Sequence, residues 1–175
     1  MQIEAEITLP YPRERVFAVY RDRLAELAAE LPNIRSVVVV SREEREGAVE
    51  LVNKWTGGGD IPAVARSFLS ESMLTWTDHA TWRSDTFTVA WRTDVHAFPG
   101  AIQSGGENRY VEAPGGMRLE LRGDLTCDAT KIPGVPRLLA RTVSSAVEKM
   151  LVGSIEKNLA EIGKGLSKLL DASTA

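Results

Sequence analysis

Apolar and polar residues alternate at the start of the chain. Ile3, Ala5, Ile7 and Leu9 are separated by Glu4, Glu6 and Thr8, the period of two expected of a strand with one buried face. Pro10 and Pro12 end that strand, and Pro12 suits the first turn of a helix carrying Val16, Phe17, Val19 and Tyr20 inward. Leu24, Leu27, Ala28 and Leu31 then fall at i, i+3, i+4 and i+7, one stripe of a second helix that stops before Pro32-Asn33. The opening therefore reads strand, helix, helix.

From Ile34 the period changes. "IRSVVVVSREE" is β-branched, Arg45-Glu46-Gly47 turns it, and Val49, Leu51, Asn53 and Trp55 alternate again, which predicts a hairpin. Gly57-Gly58-Gly59-Asp60 reads as a flexible turn, a candidate flap at a cavity mouth, and residues 61–72 fit either a short helix or an edge strand. Leu74, Trp76, Asp78, Ala80 and Trp82 share one parity; Phe87, Val89, Trp91, Thr93 and Val95 share another, so two more strands follow. A loop is expected near Gly105-Gly106. Beyond it, "NRYVEA" and the run Met117, Leu119, Leu121, Leu125 and Cys127 flank Pro114-Gly115-Gly116, a hairpin turn signal.

After "KIPGVP" come about forty residues with apolar positions at helical spacing: Leu139, Val143, Ala146, Met150, Leu159, Ile162, Leu166 and Leu169, with Ser154 in the same stripe. Strands joined by hairpins and followed by segregated helices predict an antiparallel α+β fold, because parallel strands need a crossover between each pair. The helix carries Gly153, Gly163 and Gly165, each costing about 1 kcal/mol relative to alanine. Either they let the helix approach the sheet closely or they leave room where a ligand enters. No repeat or linker divides the 175 residues, and one domain over 1–175 is expected.

Composition narrows the function. The formal charge of −3 lacks the basic excess of a phosphate-tracking protein, which disfavours nucleic acid as a partner. Residues 131–175 hold seven Lys and Arg against four Asp and Glu, leaving fourteen against twenty before them. That mildly basic helix face reads as solvated rather than as a membrane contact. A single cysteine, Cys127, excludes an internal disulfide, and its apolar parity makes it an inert core thiol rather than a nucleophile. With no His-x-His, Glu-x-x-His or cysteine cluster, no metal or cofactor site is expected, and His79 and His96 fall opposite their strands' apolar sets. The glycine run lacks the Gly-Lys-Ser/Thr ending of a phosphate loop. The N-terminus shows neither leader pattern nor long apolar run, so a cytoplasmic protein without stable membrane insertion is expected.

The element order, "ITLPYPRERVFAVYRD" at the start and "KIPGVPRLLARTVSSAVEKMLVGSIEKNLAEIGKGL" at the end resemble the START-like superfamily, also called SRPBCC, over residues 2–170. That superfamily includes plant pathogenesis-related proteins, polyketide cyclases and lipid-transfer domains. The resemblance implies the helix-grip fold, a curved antiparallel sheet wrapped around a long C-terminal helix with an elongated apolar cavity between them. It also implies a lipid-like or polyketide-like hydrophobic ligand.

Within such a cavity the strand parities name an inward set: Leu51, Asn53 and Trp55, then Trp76, Asp78 and Trp82, then Phe87, Val89, Trp91 and Thr93, with Met150 and Ser154 from the helix. The four tryptophans either line a ligand site, where indole offers a large apolar face and one N–H donor, or fill the core. Asp78 is the single candidate proton donor or ligand anchor, since a carboxylate held against indole has its pKa raised; a bulge would instead turn it to solvent. Asn53 serves a ligand carbonyl or hydroxyl, or pairs with a neighbouring strand or a buried water. One ionisable inward group favours a non-enzymatic binder over its alternative, a cyclase or dehydratase in which Asp78 and Asn53 position and protonate a substrate. A chaperone-activator-like interaction module is the third reading. Ligand identity and oligomeric state are not encoded in any motif.

Overall fold

The computed structural model describes residues 1–58 and 61–172. Its elements follow the predicted order: β1 (Gln2–Leu9), α1 (Arg13–Asp22), α2 (Leu24–Ala28), β2 (Ile34–Arg45), β3 (Ala48–Gly57), β4 (Thr75–Arg83), β5 (Thr88–Val95), β6 (Ile102–Ala113), β7 (Gly116–Cys127) and α3 (Arg137–Ala172). Among the described residues the seven strands form one antiparallel sheet in the order β1-β7-β6-β5-β4-β3-β2. This is the α+β helix-grip fold.

Local chemistry accounts for the turns. The β2–β3 and β6–β7 hairpins place Gly47 at φ 74° and Gly115 at φ 79°, a left-handed conformation that costs glycine nothing. Residues 61–72, which fit either a short helix or an edge strand by sequence, form no strand; the 3-10 turn Ala63–Ala65 lies within them and a second, Glu71–Met73, starts at their end. The glycine turn falls partly outside the description: Gly57 ends β3, whereas Gly59 and Asp60 lie outside the described residues.

One expected loop is strand. Gly105 and Gly106 lie inside β6, where Trp91 of β5 pairs with Gly106 and Gly106 with Gly123 of β7. A Cβ on Gly106 would meet the Arg122 carbonyl oxygen at 2.1 Å, and on either Gly106 or Gly123 it would sit 2.9 Å from Trp91 Cζ2. The glycines there serve close approach of backbone and indole, not chain reversal.

The position of α3 creates the interior space. It packs chiefly on β1 and β7, while α1 packs on α3 and α2 on β2. Val143, Val147, Leu159, Leu166 and Leu170 are buried on it, each such side chain contributing about 1.5–3 kcal/mol. The stripe is phased so that Ala140 is buried and Leu139, expected inside, is 43% exposed. Gly163 and Gly165 sit where a Cβ would come 3.1 Å from Ile7 Cδ1 and 3.2 Å from Leu27 Cδ2, so they serve close packing; at Gly153 nothing lies within 4 Å. The helix thus grips one side of the sheet tightly and stands off β3, β4 and β5.

Candidate functional site

Between α3 and the concave face of β3–β6 lies a cavity of about 290 Å³, close to the lower bound of small-molecule sites. All four tryptophans line it, each from a different place in the weave. Trp55 and Trp76 are cross-strand partners with parallel rings 5.9 Å apart. Trp82 faces the cavity and also packs edge-on against Phe17, 5.2 Å away, and Tyr20, 5.5 Å away. Trp91 donates its indole N–H to Asn108 Oδ1 at 3.0 Å. Val89, Thr93, Met150 and Ser154 line the same space.

Two residues of the expected set lie elsewhere. Leu51 is on the right face of β3 but is 2% exposed and packs into the main core, not against the cavity. Phe87 precedes β5, in the turn from β4, at φ 53°; it packs edge-on against Phe17 at 5.4 Å under the Arg13 guanidinium, 4.1 Å from its ring centroid. Its parity continued that of Val89 and Trp91, but a left-handed residue ends the alternation.

The polar residues form a row. Asn53 of β3 pairs with Asp78 of β4, Asp78 with Thr93 of β5, and Thr93 with Ser104 of β6. All four line the cavity, so a band one residue wide crosses its floor perpendicular to the strands. Asn53 Nδ2 donates to Asp78 Oδ2 at 3.1 Å, and the hydroxyls of Thr93 and Ser104 hydrogen-bond each other. Asn53 thus pairs with the neighbouring strand, one of its two expected fates, yet its Oδ1 is buried with no hydrogen-bond partner among the described residues. Trp82 Nε1 and Asn158 Oδ1 are in the same condition. Trp55 Nε1 makes no hydrogen bond of good geometry, although its N–H favours the charge on Asp78. Buried polar atoms without partners are rare in native proteins, and here four of them line one cavity.

Asp78 points inward. Burial pushes its carboxyl up to about 6, opposed by the Asn53 amide, His79 and the Trp55 indole. The folded state then binds the proton more tightly than the unfolded chain, whose carboxyl titrates near ~3.9. Ionisation therefore costs stability as pH rises from about 4 to about 6, reaching at most about 3 kcal/mol above that range. Asp78→Asn is expected to be more stable than the native protein at pH 7.5, by up to about 3 kcal/mol, with the gap closing by pH 4; urea denaturation at the two pH values checks this, and a variant less stable at pH 7.5 would contradict the inward, uncompensated carboxylate.

The other titratable candidates stay off the cavity. His79 contacts Asp94 at 2.9 Å and His96 contacts Thr77 at 2.8 Å. Cys127 is buried, and burial raises its thiol to about 11. Among the described residues no three His, Cys, Asp or Glu are grouped as a metal site, and no helix is long and apolar enough to cross a membrane.

Sequence reasoning missed Tyr20, Ser104, Asn108 and Asn158, all of which line the cavity. Ser104 was hidden by reading Gly105-Gly106 as a break in β6, whereas Asn108 lay in the expected strand, two residues before the buried Tyr110 and so on its face. Asn158 had a signal: it lies four residues after Ser154 on the same helical face.

The family described as "Protein of unknown function (DUF2505)" matches residues 4–157. The chain belongs to DUF2505. No curated protein matches this DUF2505 chain. Among solved structures, TTHA0849 from Thermus thermophilus aligns with 97% of the chain and 99% of its own, at a TM-score of 0.71 and 19% identity. The Zhui aromatase/cyclase from a Streptomyces species aligns with 100% of the chain and 96% of its own, at 0.65 and 17%. Ara h 8.0201 aligns over 95% and 98%, at 0.54 and 18%. These likenesses show the helix-grip fold of the DUF2505 chain.

Proposed function

We propose that this DUF2505 protein binds or carries a hydrophobic small molecule, lipid-like or polyketide-like, in the cavity between α3 and β3–β6. The observation that carries the reading is the pairing of indole walls with a row of polar groups that the protein leaves partly unsatisfied. A ligand that is mostly hydrocarbon ring or chain, with a few polar atoms at matching positions, covers the first and completes the second. An aromatase/cyclase among the fold relatives supports aromatic molecules as one ligand class for this cavity.

Titration with neutral polycyclic phenols and with long-chain lipids tests this. At least one class is expected to bind with one-to-one stoichiometry and change tryptophan emission, because all four indoles border the cavity. Emission indifferent to both classes would mean that the tryptophans serve packing alone.

A second reading has one observation in its favour. A carboxyl titrating near 6 inside a cavity is suited to donate a proton at neutral pH, as a cyclase or dehydratase requires. If Asp78 does this work, Asp78→Asn keeps polyketide binding and loses turnover; a carrier shows no turnover to lose.

A further inference from the structure

We propose that the ligand is cationic: an amine or quaternary ammonium on a hydrophobic skeleton, its positive charge seated beside Asp78 among Trp55, Trp76, Trp82 and Tyr20. The inference rests on the cavity-binding reading and narrows its ligand class. Among the described residues that line the cavity there is no Lys, Arg or His; Asp78 and Tyr20 are the only ionisable ones. The single acid therefore has no cation inside the cavity to balance it. Asn53 engages only its Oδ2.

The surroundings suit a positive charge. Trp76 precedes Asp78 by two residues on β4, so both side chains rise from one face of the sheet, and Trp55 lies directly across from Trp76. Trp82 follows on the same face, with Tyr20 of α1 edge-on to it. Aromatic faces attract cations, more strongly once water is excluded, and a carboxylate within the same walls adds direct attraction in a weak dielectric. A fatty-acid or sulfate head would instead meet Asp78 with like charge and find no basic residue along the described walls.

The charge also fixes a pH dependence. β3, β5, β6, α2 and α3 contribute no ionisable side chain to the described lining, and α1 contributes only Tyr20, whose phenol burial and Asp78 hold above its ordinary range and so neutral. On β4 itself His79 is engaged with Asp94 away from the cavity. Asp78 is thus the group that titrates, and protonation below about pH 6 removes the charge that a cation needs.

The test compares decyltrimethylammonium, 1-decanol and decyl sulfate, all below micellar concentration, by calorimetry and tryptophan emission on the whole protein. The ammonium is expected to bind at least tenfold more tightly than decanol at pH 7.5, and decyl sulfate more weakly than either. The advantage should shrink about tenfold between pH 7 and pH 5 and by a similar factor in Asp78→Asn. Trp55→Leu, checked for folding by circular dichroism, should weaken the ammonium more than decanol. Decanol binding as tightly as the ammonium would overturn the cationic inference and leave the hydrophobic-cavity reading standing. An ammonium preference unchanged in Asp78→Asn would overturn the role given to that carboxylate. Failure of all three probes to bind folded protein would overturn both the inference and the reading beneath it.

Discussion

Replacing Ser154 by phenylalanine is expected to abolish ligand uptake while leaving the fold about as stable as before. Ser154 projects from α3 into the cavity between Met150 and Asn158, one turn to either side. At the adjoining Gly153 an added Cβ would find nothing within 4 Å, so the helix stands clear here. A phenyl ring at position 154 projects into the cavity that a ligand would use, and binding should weaken by at least about a hundredfold, or about 2.8 kcal/mol. Inserting a ring into a packed core instead costs about 1–3 kcal/mol through forced rotamers and backbone shifts. Ligand titration and denaturant unfolding of the same variant therefore separate the two cases. Lost binding with stability changed by less than about 1 kcal/mol supports a ligand cavity; a large loss of stability means that the space is ordinary core.

The second large effect lies in the sheet. Gly106→Ala is expected to destabilise the protein by about 3 kcal/mol or more, which for a chain of this size lowers Tm by about 6–12 °C. The new Cβ would stand 2.1 Å from the Arg122 carbonyl oxygen and 2.6 Å from Gly123 Cα, both backbone atoms of the paired strand. Neither yields without opening the β6–β7 ladder. The same Cβ, 2.9 Å from Trp91 Cζ2, pushes on the indole that borders the cavity, so ligand affinity should fall with stability. Gly153→Ala is the matched control: it adds the same methyl in open space and should be neutral or stabilising by up to about 1 kcal/mol. Equal effects at the two positions, by differential scanning calorimetry, would contradict the account of β6.

The contrast between those glycines shows what the chain discloses about itself. Period-two alternation located β1, β3, β4 and β5, because each buries one face, and the long helical stripe located α3. The parity of Trp76, Asp78 and Trp82 put all three side chains on the cavity face, where they lie. Alternation gives a face but not a depth: Leu51 and Asn53 share a parity on β3, and only the placement of α1, α2 and α3 makes one of them core and the other lining. Gly105-Gly106 carries the local signature of a turn, and its real cause is Trp91, fourteen and fifteen residues earlier in sequence and across a ladder in space. Phe87 fails for a related reason, since its parity says strand and its φ of 53° is set by the turn. The polar row was half legible. Asn53, Asp78 and Thr93 were each inward by pattern, but their alignment depends on strand register, which no single strand records.

The central claim is that the cavity holds a hydrophobic molecule in the living cell. Native mass spectrometry of the protein purified gently from its own host, followed by extraction and identification of whatever is bound, tests it most directly. The account predicts a one-to-one complex whose released molecule is hydrophobic, bears polar atoms and restores the changed tryptophan emission when added back. Protein that carries no bound molecule, and whose emission ignores its own host's lipid and polycyclic extract, would contradict it.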